Sequence, residues 1–136
     1  GDGGRGAARG GCARVMSARG APVYMYMFSR VGDDSANKAR GAYHSGEITF
    51  VFGMRHPLQA GAGSTPYDST VAEAMSDYWV SFATTGDPNS GPSAGKWPHW
   101  PRFESATDSL LEIGATIAPR AFVKRATYDT LDAVAR

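Results

Sequence analysis

Apolar positions along this chain fall into blocks of different period. Residues 22–28, PVYMYMF, form a short continuous apolar run in which both alternating sets, Val23, Met25, Met27 and Tyr24, Tyr26, Phe28, are hydrophobic. A strand with one covered face would alternate apolar and polar, so this run predicts a strand buried on both faces, as in a parallel α/β sheet. The stretch SRVGDDSANKARG that follows is rich in Gly, Asp, Ser and Asn, reads as a loop, and leads directly to His44. Beyond Gly53 a second loop holds Pro57, Gly61, Gly63 and Pro66.

The strongest helical pattern comes next. Val71, Met75, Tyr78, Trp79 and Phe82 recur at helical intervals on one face, and Thr70 with Glu73 has capping-box spacing, which predicts a helix start at Thr70. Gly86 can take the left-handed terminal conformation and Pro88 cannot continue a helix, so the stop is predicted there. The helical spacing of Tyr78, Trp79 and Phe82 reads as core rather than ligand cage. A Pro/Gly/Ser loop, DPNSGPSAGKWPHWP, follows, and its Trp97 and Trp100 read as packed against the body of a larger domain. Leu110 to Ile113 and Thr116 to Ala118 read as two short edge strands around Gly114, and Arg120 to Arg136 has helical spacing through Phe122, Ala126, Leu131 and Val134. The opening eleven residues are mostly Gly, Ala and Arg, a composition that offsets ordering entropy poorly, and read as flexible or as the frayed lead into a helix starting near Ala13.

Composition narrows the function classes. With 136 residues, of which 42% are hydrophobic and 11% aromatic, the chain can build the packed core of one domain. Fourteen Lys and Arg against thirteen Asp and Glu leave a net charge of +1, so no bulk field would recruit nucleic acid or an anionic membrane, and partner choice must come from a site. The arginines of the leader lack the interleaved aromatics of a nucleic-acid-binding segment. No apolar stretch approaches the roughly 20 residues of a membrane span. Cys12 is the single cysteine and cannot close an internal disulfide. The start lacks an initiator Met and an apolar signal region, as expected of a fragment or processed product.

Candidate chemistry rests on few residues. His44, between Tyr43 and Ser45, is by itself the kind of lone histidine that more often serves as a solvated or hydrogen-bonded structural residue. His56 precedes Pro57 and His99 lies between Pro98 and Trp100, and both read as surface or packing residues. No close-spaced pair among the three suggests a metal. GPSAG, residues 91–95, satisfies G-x-S-x-G with Ser93 at the nucleophile position, but that pattern carries chemistry only at a sharp turn from a buried strand into a helix. Here it follows a helix stop, and Lys96, Trp97 and Pro98 do not open a helix, so a flexible loop is expected.

GAYHSGEITFVFG, residues 41–53, is similar to the histidine loop of type-B carboxylesterases, the family of the cholinesterases and para-nitrobenzyl esterases. In that loop a His following a central strand is succeeded by a small residue, an acidic residue and an aromatic-rich stretch ending in Phe-Gly. PVYMYMFSR resembles the strand before it, and YWVSFATTGDPN followed by WPHW resembles the family's helix and exit loop. The three motifs keep the family's order and spacing over about residues 21–101, the last thirty-odd residues fit more loosely, and the Gly-rich leader departs from the pattern.

The resemblance implies an α/β fold, with residues 21–136 as the C-terminal part of an α/β-hydrolase domain behind a Gly/Arg-rich leader and helix at 1–20. That part would comprise the last central strand, the histidine loop, a long helix, short edge strands and a terminal helix. It implies that His44 is general base toward a serine hydroxyl and then general acid toward the leaving alcohol, held in the correct tautomer by a Glu or Asp. The nucleophile, its elbow, the oxyanion-hole glycines and the triad acid would lie upstream in a full-length member. The isolated chain is therefore expected to be inactive, and its partners to be the N-terminal remainder of the hydrolase domain and a small carboxylic ester. The resemblance implies no metal or organic cofactor. Glu47 is too close to His44 to serve as the triad acid and is expected to support the loop or start a short helix. Two rivals are a non-catalytic cholinesterase-like adhesion domain and an independent binding module. Retention of His44 favours the enzyme over the first, and the strand edge that a sheet cut here would expose disfavours the second.

Overall fold

A computed structural model of the protein describes residues 3–31, 46–53 and 65–121. Helix α1 spans Gly3–Ala18, strand β1 Tyr26–Phe28, helix α2 Ile48–Val51, helix α3 Pro66–Thr85, strand β2 Leu110–Ile113 and strand β3 Ile117–Arg120. The strands form one sheet in the order β1-β2-β3, with β1 parallel to β2 and β2 antiparallel to β3.

The long helix begins one turn earlier than Thr70. Thr65 is its N-cap: the Thr65 hydroxyl accepts from the Asp68 amide at 3.3 Å, the Asp68 carboxylate accepts from the Thr65 amide at 2.7 Å, and Pro66 opens the first turn. Proline suits that place because its missing N–H would have no intrahelical partner there. Thr70 instead turns its hydroxyl back to the Pro66 carbonyl, 3.3 Å away, as a mid-helix threonine does. The helix stops where the sequence predicts, with Gly86 at φ 78° donating its amide to the Phe82 carbonyl at 2.8 Å.

The face of α3 buried by Val71, Ala74, Met75, Tyr78 and Ser81 is rotated slightly from the predicted one. Trp79 packs at its rim, and Phe82 is largely exposed, with its ring edge-on to Tyr24 at 5.8 Å. Phe50, Trp100, Leu111 and Ile113 complete the core. Trp100 is thus a core residue of this chain. It meets Tyr78 edge-on and Trp79 at a tilt, with centroid distances of 5.3 Å each, and donates its indole N–H to the Met25 carbonyl at 2.8 Å. The Tyr78 hydroxyl donates to the Pro98 carbonyl at 2.5 Å, and burial pushes that phenol up to about 12.

Strand β1 is shorter than the apolar run that predicts it. Residues 22–25 have no strand assignment although the Val23 and Met25 carbonyls accept from the Phe103 and Leu111 amides, and Pro101, two residues before Phe103, has no N–H to continue a ladder. Tyr26 and Met27 are 38% and 40% exposed, against the expectation of cover on both faces. Among the described residues β1 pairs with β2 alone, so the neighbours that its pattern calls for are not among them. The two predicted short strands around Gly114 are present, the second running to Arg120, which is strand rather than the start of a helix. A terminal helix over the rest of 120–136 lies outside the described residues, apart from Ala121.

Helix α1 also starts well before Ala13. Ala13 is buried and Arg14 makes a two-pronged bond to Asp108, at 3.0 and 3.3 Å, so the C-terminal half of α1 is docked. Propagation from a docked turn costs far less than nucleation, which lets the Ala/Arg residues before it continue the helix. At the other end Gly20, at φ 81°, closes it: the Ala21 amide bonds the Met16 carbonyl and the Gly20 amide the Ser17 carbonyl.

Candidate active site

The described residues that flank the segment 32–45, which contains His44, come from two elements. On the leading side, β1 ends at Phe28 and the Ser29 amide still bonds the Ile113 carbonyl at 2.9 Å. The Ser29 hydroxyl donates to Glu112 Oε1 at 2.8 Å, while Arg120 Nε donates to Glu112 Oε2 at 3.0 Å. Ser29's hydroxyl first, then the Arg120 guanidinium, hold the Glu112 carboxyl below its ordinary value. A Cβ at Gly114 would lie 2.3 Å from Ser29 Oγ, so any side chain there would turn the Ser29 hydroxyl away from Glu112.

Arg30 comes next, with a side chain only 8% exposed. Its Nε donates to Asp68 Oδ1 at 2.8 Å, its Nη2 to Thr65 Oγ1 at 3.3 Å, and its guanidinium lies over the Tyr67 ring, 5.1 Å from the centroid. Burial pushes the Asp68 carboxyl up, but the hydrogen bonds from Arg30 and from the Thr65 amide and hydroxyl outweigh it and leave Asp68 below its ordinary value. Burial raises the Tyr67 phenol, whose hydroxyl has no hydrogen-bond partner among the described residues.

On the returning side, Gly46 is buried and its carbonyl accepts from the Thr49 hydroxyl at 3.2 Å. Glu47 is the N-cap of the four-residue α2; its carbonyl accepts from the Phe50 and Val51 amides, and its carboxylate makes no capping bond. Phe50 is buried against α3 and meets the Phe28 ring at 5.3 Å, so α2 packs on both β1 and α3.

His44 and His56 themselves lie outside the described residues. His99 is exposed on the loop after α3. Ser93 sits in a run of turns, where Ala94 N bonds the Gly91 carbonyl and Lys96 N the Ser93 carbonyl, with α3 before it and β2 as the next element. Neither the preceding strand nor the following helix of a nucleophile elbow is present around it. Among the described residues no three His, Cys, Asp or Glu side chains converge as a metal site, and no helix is long and apolar enough to cross a membrane.

Sequence reasoning missed Arg30, Thr65, Tyr67 and Asp68. The order Thr-Pro-Tyr-Asp is itself a capping box with proline at its first helical position, so the last three were detectable. Nothing local distinguishes Arg30 from the polar loop that it opens.

Comparison with known proteins agrees with this geometry. A family model described as the carboxylesterase family matches residues 11–131. Human bile salt-activated lipase is 40% identical over 98 residues, which cover 71% of this chain and 13% of the lipase. Carboxylesterase 4A of Bos taurus is 40% identical over 99 residues, covering 71% of this chain and 16% of that protein. The chain therefore spans less than a fifth of either relative. Among solved structures, a Geobacillus stearothermophilus carboxylesterase at pH 6.2 matches with a TM-score of 0.66 and 28% identity, over 85% of this chain and 24% of that one. An esterase of Clostridium hathewayi matches with a TM-score of 0.70 over 89% of this chain and 23% of that one; at 21% identity it speaks for the fold alone. Both neighbours are esterases of the α/β-hydrolase fold.

Proposed function

Because the chain belongs to the type-B carboxylesterase family, we propose that it is the C-terminal part of a serine carboxylesterase and supplies that enzyme's general acid-base residue, His44. The observation that supports this reading is the family match across residues 11–131, a range that includes His44 and the three motifs that resemble the family's histidine loop and its flanks. The remainder of the hydrolase domain would provide the serine, the oxyanion hole and the triad acid.

In the first half-reaction His44 takes the serine proton as the hydroxyl attacks the ester carbonyl, then delivers it to the departing alkoxide as the tetrahedral intermediate collapses to acyl-enzyme. In the second, His44 takes a proton from water as the water oxygen attacks the acyl carbonyl, then returns it to the serine oxygen as the acyl–serine bond breaks and the carboxylic acid is released. Imidazole suits both directions because its unperturbed pKa lies near neutrality. The substrate class is a small carboxylic ester, and the reading requires no metal or organic cofactor. The named relatives are a lipase and carboxylesterases, which supports hydrolysis over adhesion.

Turnover of a short-chain nitrophenyl ester by the family-length protein tests it. His44→Ala should lower kcat by at least roughly 10³-fold with the fold retained, in line with other triad deletions. His56→Ala and His99→Ala should leave kcat unchanged, and loss of turnover in either of them rather than in His44→Ala would defeat the assignment. The isolated 136-residue chain should show no esterase activity above that of its own Ser93→Ala variant, since Ser93 stands in a turn without an elbow.

A further inference from the structure

Two residues beyond β1, and separated from His44 by residues 31–43, Arg30 buries a guanidinium where a polar loop would ordinarily carry its charge into water. We propose that Arg30 is a positioning residue for the ester-hydrolysing reaction: by binding Asp68, Thr65 and the face of Tyr67, it ties the departure of the His44 loop to the first turn of α3. The inference rests on the acid-base reading of His44.

The return of the same loop is fixed to the same helix, because α2 follows Gly46 and lays Phe50 against α3. Both ends of the segment that carries His44 are therefore referred to one rigid element. Strand β1 adds a second fixed point, where Ser29 is locked to Glu112 across the sheet. Arginine is suited to this work in a way that lysine is not. Its planar fork gives Nε to the Asp68 carboxylate and Nη2 to the Thr65 hydroxyl while its flat face covers Tyr67, so one side chain fixes both distance and orientation. A buried ion pair is a weak source of net stability compared with apolar packing, whereas it does fix geometry. General acid-base transfer needs hydrogen-bond reach, and a misplacement of about 1 Å can cost about 10²-fold in rate.

The test uses the family-length protein, with active sites counted by exhaustive reaction with a serine-directed phosphonate and turnover measured on a short-chain nitrophenyl ester. For Arg30→Met, kcat per counted site should fall roughly tenfold or more, within the range that small misplacements cause. KM should stay within about twofold, because a positioning role acts on the proton transfers rather than on ground-state binding of the ester. Arg30→Lys should recover only part of the loss. Asp68→Asn keeps an acceptor for the Thr65 amide while removing the charge that orients Arg30, so it should show the same kcat loss and serves as the reading if Arg30→Met does not fold. Wild-type kcat per counted site, with damage confined to yield or melting temperature, would overturn the positioning role and leave Arg30 purely structural. His44→Ala is run alongside: if it abolishes turnover while Arg30→Met and Asp68→Asn keep wild-type kcat, positioning alone fails; if His44→Ala keeps wild-type kcat, the acid-base reading and the positioning role fall together.

Discussion

Arg30 and Lys96 each bind carboxylates of α3, one at its first turn and the other farther along the helix. Lys96 Nζ lies 2.6 Å from Glu73 and 3.2 Å from Asp77, and also over the Trp97 ring, whose N–H reaches Asp77 at 2.7 Å. By distance alone it is the better pair. Yet Lys96 and Glu73 are 46% and 59% exposed, against 8% and 13% for Arg30 and Asp68. An exposed pair gains little over hydration and is screened by salt, whereas a guanidinium already withdrawn from water depends on its partners. Burial rather than separation decides which pair matters, and the buried one lies at the end of β1 and the first turn of α3.

Removing one member of each pair sharpens this contrast. Asp68→Ala strands the Arg30 charge and deletes half of the capping box, so the family-length protein should lose about 3 kcal/mol in urea unfolding. Gly114→Ala attacks the other lock on the β1 end. Its methyl would meet Ser29 Oγ, which must turn away from Glu112, at a cost of about 1 to 2 kcal/mol in the same measurement. Lys96→Ala should leave the urea midpoint unchanged at moderate salt. A midpoint shift for Lys96→Ala as large as that for Asp68→Ala would break the comparison.

The pairs should also separate with pH. Asp68 is held below its unfolded pKa, so its contribution is complete above about 3.9 and disappears as pH falls through the lower folded value. Lys96 is raised, chiefly by its bond to Glu73, so what it contributes is present below its unfolded pKa and lost as pH rises through the higher folded one. Asp68→Asn should therefore flatten the acid limb of the stability profile, and Lys96→Ala should leave that limb as it is.

Local pattern carried much of the fold and little of the candidate site. The Gly86 stop and the strands about Gly114 are written in neighbouring residues and legible there, whereas the apolar run at 22–28 marks a strand but not its length, three residues, nor the exposure of Tyr26 and Met27. Thr70 and Glu73 repeat the spacing of Thr65 and Asp68, so spacing alone points one turn too late, and Pro66 is what distinguishes the true cap. Arg30 was illegible for a different reason: its partners lie at 65–68, and no periodicity marks a charge whose burial depends on residues so distant. His44 was singled out through the resemblance of three linked motifs, since a lone histidine has no pattern of its own.

The most direct test of His44 as the acid-base residue is the pH dependence of kcat/KM for the family-length protein. The neutral imidazole must accept the first proton, so the profile should fall on the acid side with a single ionisation near the histidine value of about 6.5. That limb should persist in His56→Ala and His99→Ala, and the residual activity of His44→Ala should lack it. An acid limb unchanged in His44→Ala would contradict the assignment.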